Sequence, residues 1–252
     1  MSKQDISDIL NNWEFDPDIL NVRKITGRDG NEKIQLRLDL GLLQMEAQGR
    51  PDGQEYKGYT NVLDFIQSEY YALREAGEED QFELTADDLR ELQQESIQYY
   101  HRYLCFAELG DYSGVIRDTA HNLEVLEFVE EFAKDEESAW AFMQYYPYVK
   151  MMQTQAKIQQ ALENETYRSA LEDIDKSIKA IRDFNKKWGI QDSEESRKEI
   201  TILEEWRETV LEEKPLSKSE KLKADMEEAV RLERYEDAAR IRDQLEDIQE
   251  RN

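Results

Sequence analysis

Cysteine is almost missing from this chain. Cys105 is the single one in 252 residues, which excludes an intramolecular disulfide and any zinc site built on the cysteines of one chain. Its neighbours in "YLCFAEL" are apolar, so it is expected to be a small core residue. Histidine is nearly as scarce, with only His101 and His121. There are 4 Pro and 10 Gly, few enough for long uninterrupted helices. No apolar stretch approaches the ~20 residues that cross a bilayer. The opening "MSKQDISDIL" lacks the charged-then-apolar layout of a secretory leader. No membrane contact is expected, and the expected location is cytoplasmic.

What is present is charge. Asp and Glu number 58 against 33 Lys and Arg, a formal net charge of −25. Such a surface repels phosphate backbones unless it carries a concentrated basic stripe. Here the basic residues are interspersed with acids, so direct nucleic-acid binding is not expected. The charge then serves solubility, or it answers a basic partner by mimicking nucleic acid. Aromatic residues make up 10% of the chain, including 13 Tyr and 4 Trp, which disordered chains do not carry. The composition predicts a folded, mainly α protein.

Three segments are expected. Residues 1–58 read as a short helix, with Leu10 and Trp13 three apart, followed by a β-hairpin. Ile34, Leu36, Leu38 and Leu40 alternate with Gln35, Arg37 and Asp39, the period of a half-buried strand, and Asp29-Gly30 is a tight-turn dipeptide. One hairpin is marginal alone, so a helix or a partner must cover its Leu face. The loop "QGRPDGQEYKGYTN" (48–61) has glycines without phosphate-loop spacing. It reads as a structural connector, with a binding loop at Arg50 and Asp52 as the second reading.

Residues 59–213 read as an irregular stack of helical hairpins. Val62, Phe65, Ile66 and Tyr70 recur at helical spacing, and Gly77 ends that helix. Thr85, with Asp88 three residues on, caps the next. Further helices are expected around 112–134, 137–163, 166–187 and 194–213. Pro215 marks a break, after which residues 217–232 and 235–250 form a terminal pair.

Related junctions join three of these pairs, at Tyr112, Tyr167 and Tyr235. Each Tyr follows a small residue by five or six positions. Small or aliphatic pairs stand three and four residues later: Val115/Ile116, Ala170/Leu171 and Ala238/Ala239. A ring plugging the turn and small residues between helices would let antiparallel helices approach closely. The first two junctions, "Leu109-Gly110-Asp111-Tyr112" above all, resemble tetratricopeptide hairpins, but without their ~34-residue period.

The third junction is more specific. "Glu227-Glu228-Ala229-Val230" followed by "Tyr235-Glu236-Asp237-Ala238-Ala239-Arg240-Ile241-Arg242-Asp243-Gln244-Leu245" resembles the UVR motif. This is the short helical hairpin of the excision-repair proteins UvrB and UvrC, also found in Clp-type chaperones. The pattern itself supplies two apolar stripes: Leu222, Met226, Ala229 and Val230 on one helix, and Ala238, Ile241, Leu245 and Ile248 on the other. The resemblance implies contact with another protein or self-association and carries no catalytic residue. It makes Tyr235, Ala238, Ala239, Ile241, Arg242, Asp243 and Leu245 the candidate partner-binding residues. The alternative is a terminal hairpin that caps the helical stack.

Signals for chemistry are thin. His101 in "YYHRY" is expected to stack among tyrosines, and His121 to face solvent or a neighbouring acid. No nucleophile elbow, phosphate loop or calcium-loop grammar is present. The expectation is a non-enzymatic adaptor or regulator with no catalytic residue, no metal and no cofactor, linked to DNA repair or Clp-type proteolysis. The alternative is an acidic nucleic-acid mimic that occupies the basic surface of a DNA- or RNA-binding protein.

Overall fold

The computed structural model describes residues 5–215 and 218–249. After a short helix α1 (Ser7–Asn11), three strands form an antiparallel meander: β1 (Asn21–Thr26), β2 (Glu32–Leu38) and β3 (Gly41–Glu46). The expected hairpin is therefore β1–β2, and the chain turns again to add a third strand. Val22 lies opposite Leu36, and Ile34 opposite Met45.

Pairing on both edges changes the burial of β2. Ile34 and Leu36 are buried as expected, but so are Lys33, Gln35 and Arg37 on the other face. The leucine alternation does not continue. Leu38 is 41% and Leu40 88% exposed, because Leu40 sits in the turn into β3 rather than in a strand. The polar face is satisfied internally. Lys33 meets Asp29 at 2.8 Å and also Glu46. Gln35 accepts from Arg23 at 2.8 Å and donates to Gln44 at 2.9 Å. Arg23 in turn lies 4.0 Å over the Trp13 ring. A helix does cover the sheet: α3 (Ala86–Glu108) packs against β1 and β2.

Helix α2 (Val62–Ala76) starts at Asn61, whose side chain accepts from the Asp64 amide, and closes at Gly77. Helix α3 starts with a reciprocal capping box between Thr85 and Asp88, two orphan donors satisfied at once. It forms a hairpin with α4 (Tyr112–Phe132). After the short α5 (Glu136–Met143), α6 (Tyr146–Glu163) and α7 (Tyr167–Lys187) form a second hairpin. Helix α4 packs on both α3 and α6, which ties the hairpins into a stack.

The single helix expected over 137–163 is thus two helices. Pro147 is the cause: it lacks a backbone donor and its ring clashes with the carbonyl four residues back, so it is tolerated only in a first turn. The core runs through Val62, Leu63, Ile66, Leu92, Val125, Val129 and Phe142. An aromatic rim borders it, in which Tyr70 and Phe82 pack on Phe132 at 4.6 and 5.2 Å. Cys105 is fully buried, as expected.

The last long stretch begins as a 3-10 turn at Glu195–Arg197 and continues as α8 (Lys198–Glu213). Contacts divide the chain into two compact units, Met1–Arg207 and Glu208–Asn252. The second contains α9 (Lys218–Arg231) and α10 (Tyr235–Gln249), which pack together as a helical hairpin.

Candidate functional site

The turn between α9 and α10 is built by backbone hydrogen bonding. Glu233 adopts a left-handed conformation at φ 59°. Its amide donates to the Val230 carbonyl at 3.0 Å, and the Arg234 amide donates to the Ala229 carbonyl at 2.8 Å. This is a Schellman closure, which satisfies carbonyls that a helix end leaves open. The same two bonds recur at the other tyrosine junctions. Gly110 and Asp111 donate to Ala107 and Phe106; Glu165 and Thr166 donate to Leu162 and Ala161. A left-handed residue stands two positions before Tyr112, Tyr167 and Tyr235 alike.

The side chains do not repeat as faithfully as the backbone. Tyr112 and Tyr167 are half-buried, and Val115 and Ala170 are buried beneath them. Tyr235 is 65% exposed, so its ring does not plug the third turn. Ala239 is exposed as well, and close helix approach within the chain does not explain its small size. The side chains of Ala238, Leu245 and Ile248 lie outside the described residues. On α9, Ala229 is buried while Leu222 and Met226 are half-buried. Val230, placed by the sequence in the same stripe, is 49% exposed, since one residue past Ala229 turns it ~100° around the helix. Ile241 is half-buried on α10.

Three apolar side chains therefore crowd the outside of this turn: Val230, Leu232 and Tyr235. Charges flank them. Arg231 pairs with Glu228 at 2.7 Å, and Arg240 with Asp237 one turn back. Arg242 donates to its neighbour Asp243 at 2.9 Å, with both side chains more than 60% exposed. Surface pairs of this kind contribute little to stability.

The first unit holds a different constellation, a buried charge network between α3 and α4. Arg102 makes a bidentate pair with Asp118, at 2.7 and 2.8 Å, with both side chains fully buried. Its remaining donors reach the carbonyls of Glu46 and Gly49, each at 2.8 Å. The Glu95 carboxylate accepts from the Val62 and Leu63 amides at 2.8 and 3.3 Å, neutralising the N-terminus of α2. It also meets Arg50 at 3.4 Å and His121 at 3.2 Å. His121 stacks on Tyr99 at 3.9 Å, and burial pushes the Tyr99 phenol up to about 12.

Glu95, Arg102 and Asp118 stand out by no sequence motif, and their partners divide between neighbouring side chains and four backbone groups. Arg50 is 9% exposed and pairs with Asp52 at 3.3 Å, so the loop's two candidate residues are held to each other and to α3. The signal was present at helical spacing: Leu92, Glu95, Tyr99, Arg102 and Phe106 share one face of α3, two of them charged. His121 meets an acid as expected but faces inward. His101 lies beside Tyr100, with ring centroids 5.5 Å apart and planes tilted by 54°, and burial lowers the pKa of its imidazole.

Among the described residues, no group of three or more His, Cys, Asp or Glu is arranged to hold a metal ion. No helix among them is long and apolar enough to cross a membrane. No curated protein and no solved structure matches the chain. The family model of the UvrB/uvrC motif matches residues 218–251, so the hairpin α9–α10 carries a UvrB/uvrC motif.

Proposed function

We propose that this protein is a non-enzymatic adaptor that docks another protein, or a second copy of itself, through the C-terminal hairpin. One coincidence carries the reading: the UvrB/uvrC motif falls where Val230, Leu232 and Tyr235 are 49, 51 and 65% exposed. Single exposed apolar residues are ordinary on a protein surface, but three within six residues at the tip of a hairpin form a patch. Burying the half of each such side chain that is still exposed is worth about 0.75–1.5 kcal/mol, and the immobilisation cost of binding offsets part of that gain. The families in which this hairpin is known direct attention to DNA-repair and Clp-type proteolytic assemblies as partners.

The adaptor reading assigns no catalytic residue, metal, cofactor, nucleic acid or membrane to the protein. Affinity capture from the source cell tests it, with full-length protein as bait beside Val230→Ser/Leu232→Ser/Tyr235→Ser. The parent chain should retain a partner, or dimerise, and the triple variant should not. Capture that survives the triple substitution overturns the docking role. The net charge of −25 favours a second reading, a nucleic-acid mimic on a basic protein. That reading predicts competition with DNA for the captured partner.

A further inference from the structure

A cavity of about 480 Å3 opens between α3, α4, α5 and α6, lined on one side by Ser96 and Asn122, the chain neighbours of Glu95 and His121. Its size falls within the range of small-molecule sites, which are mostly apolar with a few convergent polar groups. In a chain of 36% charged residues, no lining side chain is Asp, Glu, Lys or Arg. Rings dominate instead: Tyr100, His101, Phe142 and Tyr145 all line it. Tyr145 and Tyr100 are 54% and 37% exposed, so both rings present a face to solvent at its mouth.

Two side chains that line it each carry a buried polar atom without a protein hydrogen-bond partner. Asn122 is only 5% exposed. Its amide nitrogen donates to the Ser96 carbonyl at 3.0 Å, while its Oδ1 accepts nothing. The buried Ser96 Oγ is likewise unpartnered. Unpaired buried polar atoms are costly and few in native proteins, and each needs an explanation. Asn122 Oδ1 is purely an acceptor, so whatever completes it must donate. A charged occupant would find no counter-charge here and would lose its hydration uncompensated. Aromatic walls favour a flat ring that can stack or meet their edges.

We propose that this cavity binds a neutral, planar aromatic small molecule carrying an N–H or O–H donor. Its ring sits among Tyr100, Phe142 and Tyr145, and its donor reaches Asn122 Oδ1 and Ser96 Oγ.

Indole and benzofuran are suitable probes, being nearly identical in shape while only indole has an N–H. Each is titrated into the full-length chain, with binding followed by calorimetry and by the NMR signals of the Asn122 side-chain amide. Indole should bind saturably and shift the Asn122 amide. Benzofuran, which leaves the acceptor unpaired, should bind about tenfold more weakly. Ser96→Ala should narrow that gap. Tyr145→Ala, at a half-exposed position where the fold is not at stake, should weaken both probes. Failure of both probes to saturate, equal affinities, or indole shifts confined to other helices would overturn the proposal. So would unchanged affinity for both probes in a correctly melting Tyr145→Ala variant.

Discussion

A Cβ built on Gly114 would stand 2.6 Å from the nearest ring carbon of Phe106. The first turn of α4 and the end of α3 are therefore as close as glycine permits, and the Asp111 cap on the Gly114 amide holds them there at 3.0 Å. Gly114→Ala should be destabilising although alanine is the better helix former. The ring is fully packed, and its displacement belongs with overpacking effects of about 1–3 kcal/mol. Chemical denaturation of the parent and variant measures this directly. An unchanged or raised midpoint would show that Phe106 yields freely.

The Arg102–Asp118 pair predicts a larger loss. Arg102→Met removes the bidentate partner of the buried Asp118 carboxylate, leaving it only Arg117 at 2.9 Å, and takes the donor from the Glu46 and Gly49 carbonyls. Breaking a buried pair from one side costs about 3–5 kcal/mol. Arg102→Lys should recover only part of it, because an ammonium cannot reproduce the bidentate fork and reach both carbonyls. Thermal melts of the two variants give the order.

The contrast between these two sites explains what the sequence could reveal. Hairpin pairing, the Thr85 cap, the Gly77 stop and the terminal helix pair were legible because each rests on neighbouring residues. Gly114 was not, since its importance depends on Phe106 from another helix. The junction pattern drew attention instead to Val115 and Ile116. The third strand was hidden because Asp39-Leu40 carries no strong turn dipeptide, so β2 and β3 ran together as one apolar segment. The cavity was invisible for a similar reason: Ser96, Tyr100, Asn122 and Tyr145 meet only once α3 to α6 are packed. At the candidate interface the motif was readable, but the outward direction of Tyr235 and Ala239 was not.

The shared junction geometry gives a reciprocal test. Gly110 and Glu233 occupy equivalent left-handed positions, at φ 69° and 59°, but only glycine adopts this conformation without steric cost. Glu233→Gly should stabilise the hairpin α9–α10 by about 0.5–1 kcal/mol, and Gly110→Ala should destabilise the α3–α4 hairpin by a similar or larger amount. Hydrogen exchange at the two junctions reads them separately. A Glu233→Gly variant that loosens its turn would show a side-chain role for Glu233.

Burial pushes the Cys105 thiol up to about 12, whereas a solvated thiol ionises near 8.5. Between those values the unfolded chain has lost a proton that the folded chain keeps. Stability should therefore fall as pH rises through that window. Buried structural thiols are also inert toward electrophiles. At pH 8 the folded protein should resist alkylation at Cys105, and denaturant should release it. Rapid labelling of the native chain would place Cys105 in a segment that opens easily.

Ala239 gives the sharpest test of docking by the hairpin. It is exposed on α10, and leucine and alanine are both good helix formers, so Ala239→Leu should leave the melting temperature almost unchanged. If a partner helix lies against this face, the added atoms overpack the interface by about 1–3 kcal/mol, weakening binding by about tenfold or more. Arg242→Ala should do less, since Arg242 is already paired with Asp243 on the open surface. Light scattering of the protein alone and calorimetry with the captured partner separate self-association from binding in trans. Affinity and oligomeric state unchanged by both Ala239→Leu and the Val230/Leu232/Tyr235 triple substitution would leave the hairpin no docking face, and the capping role would remain.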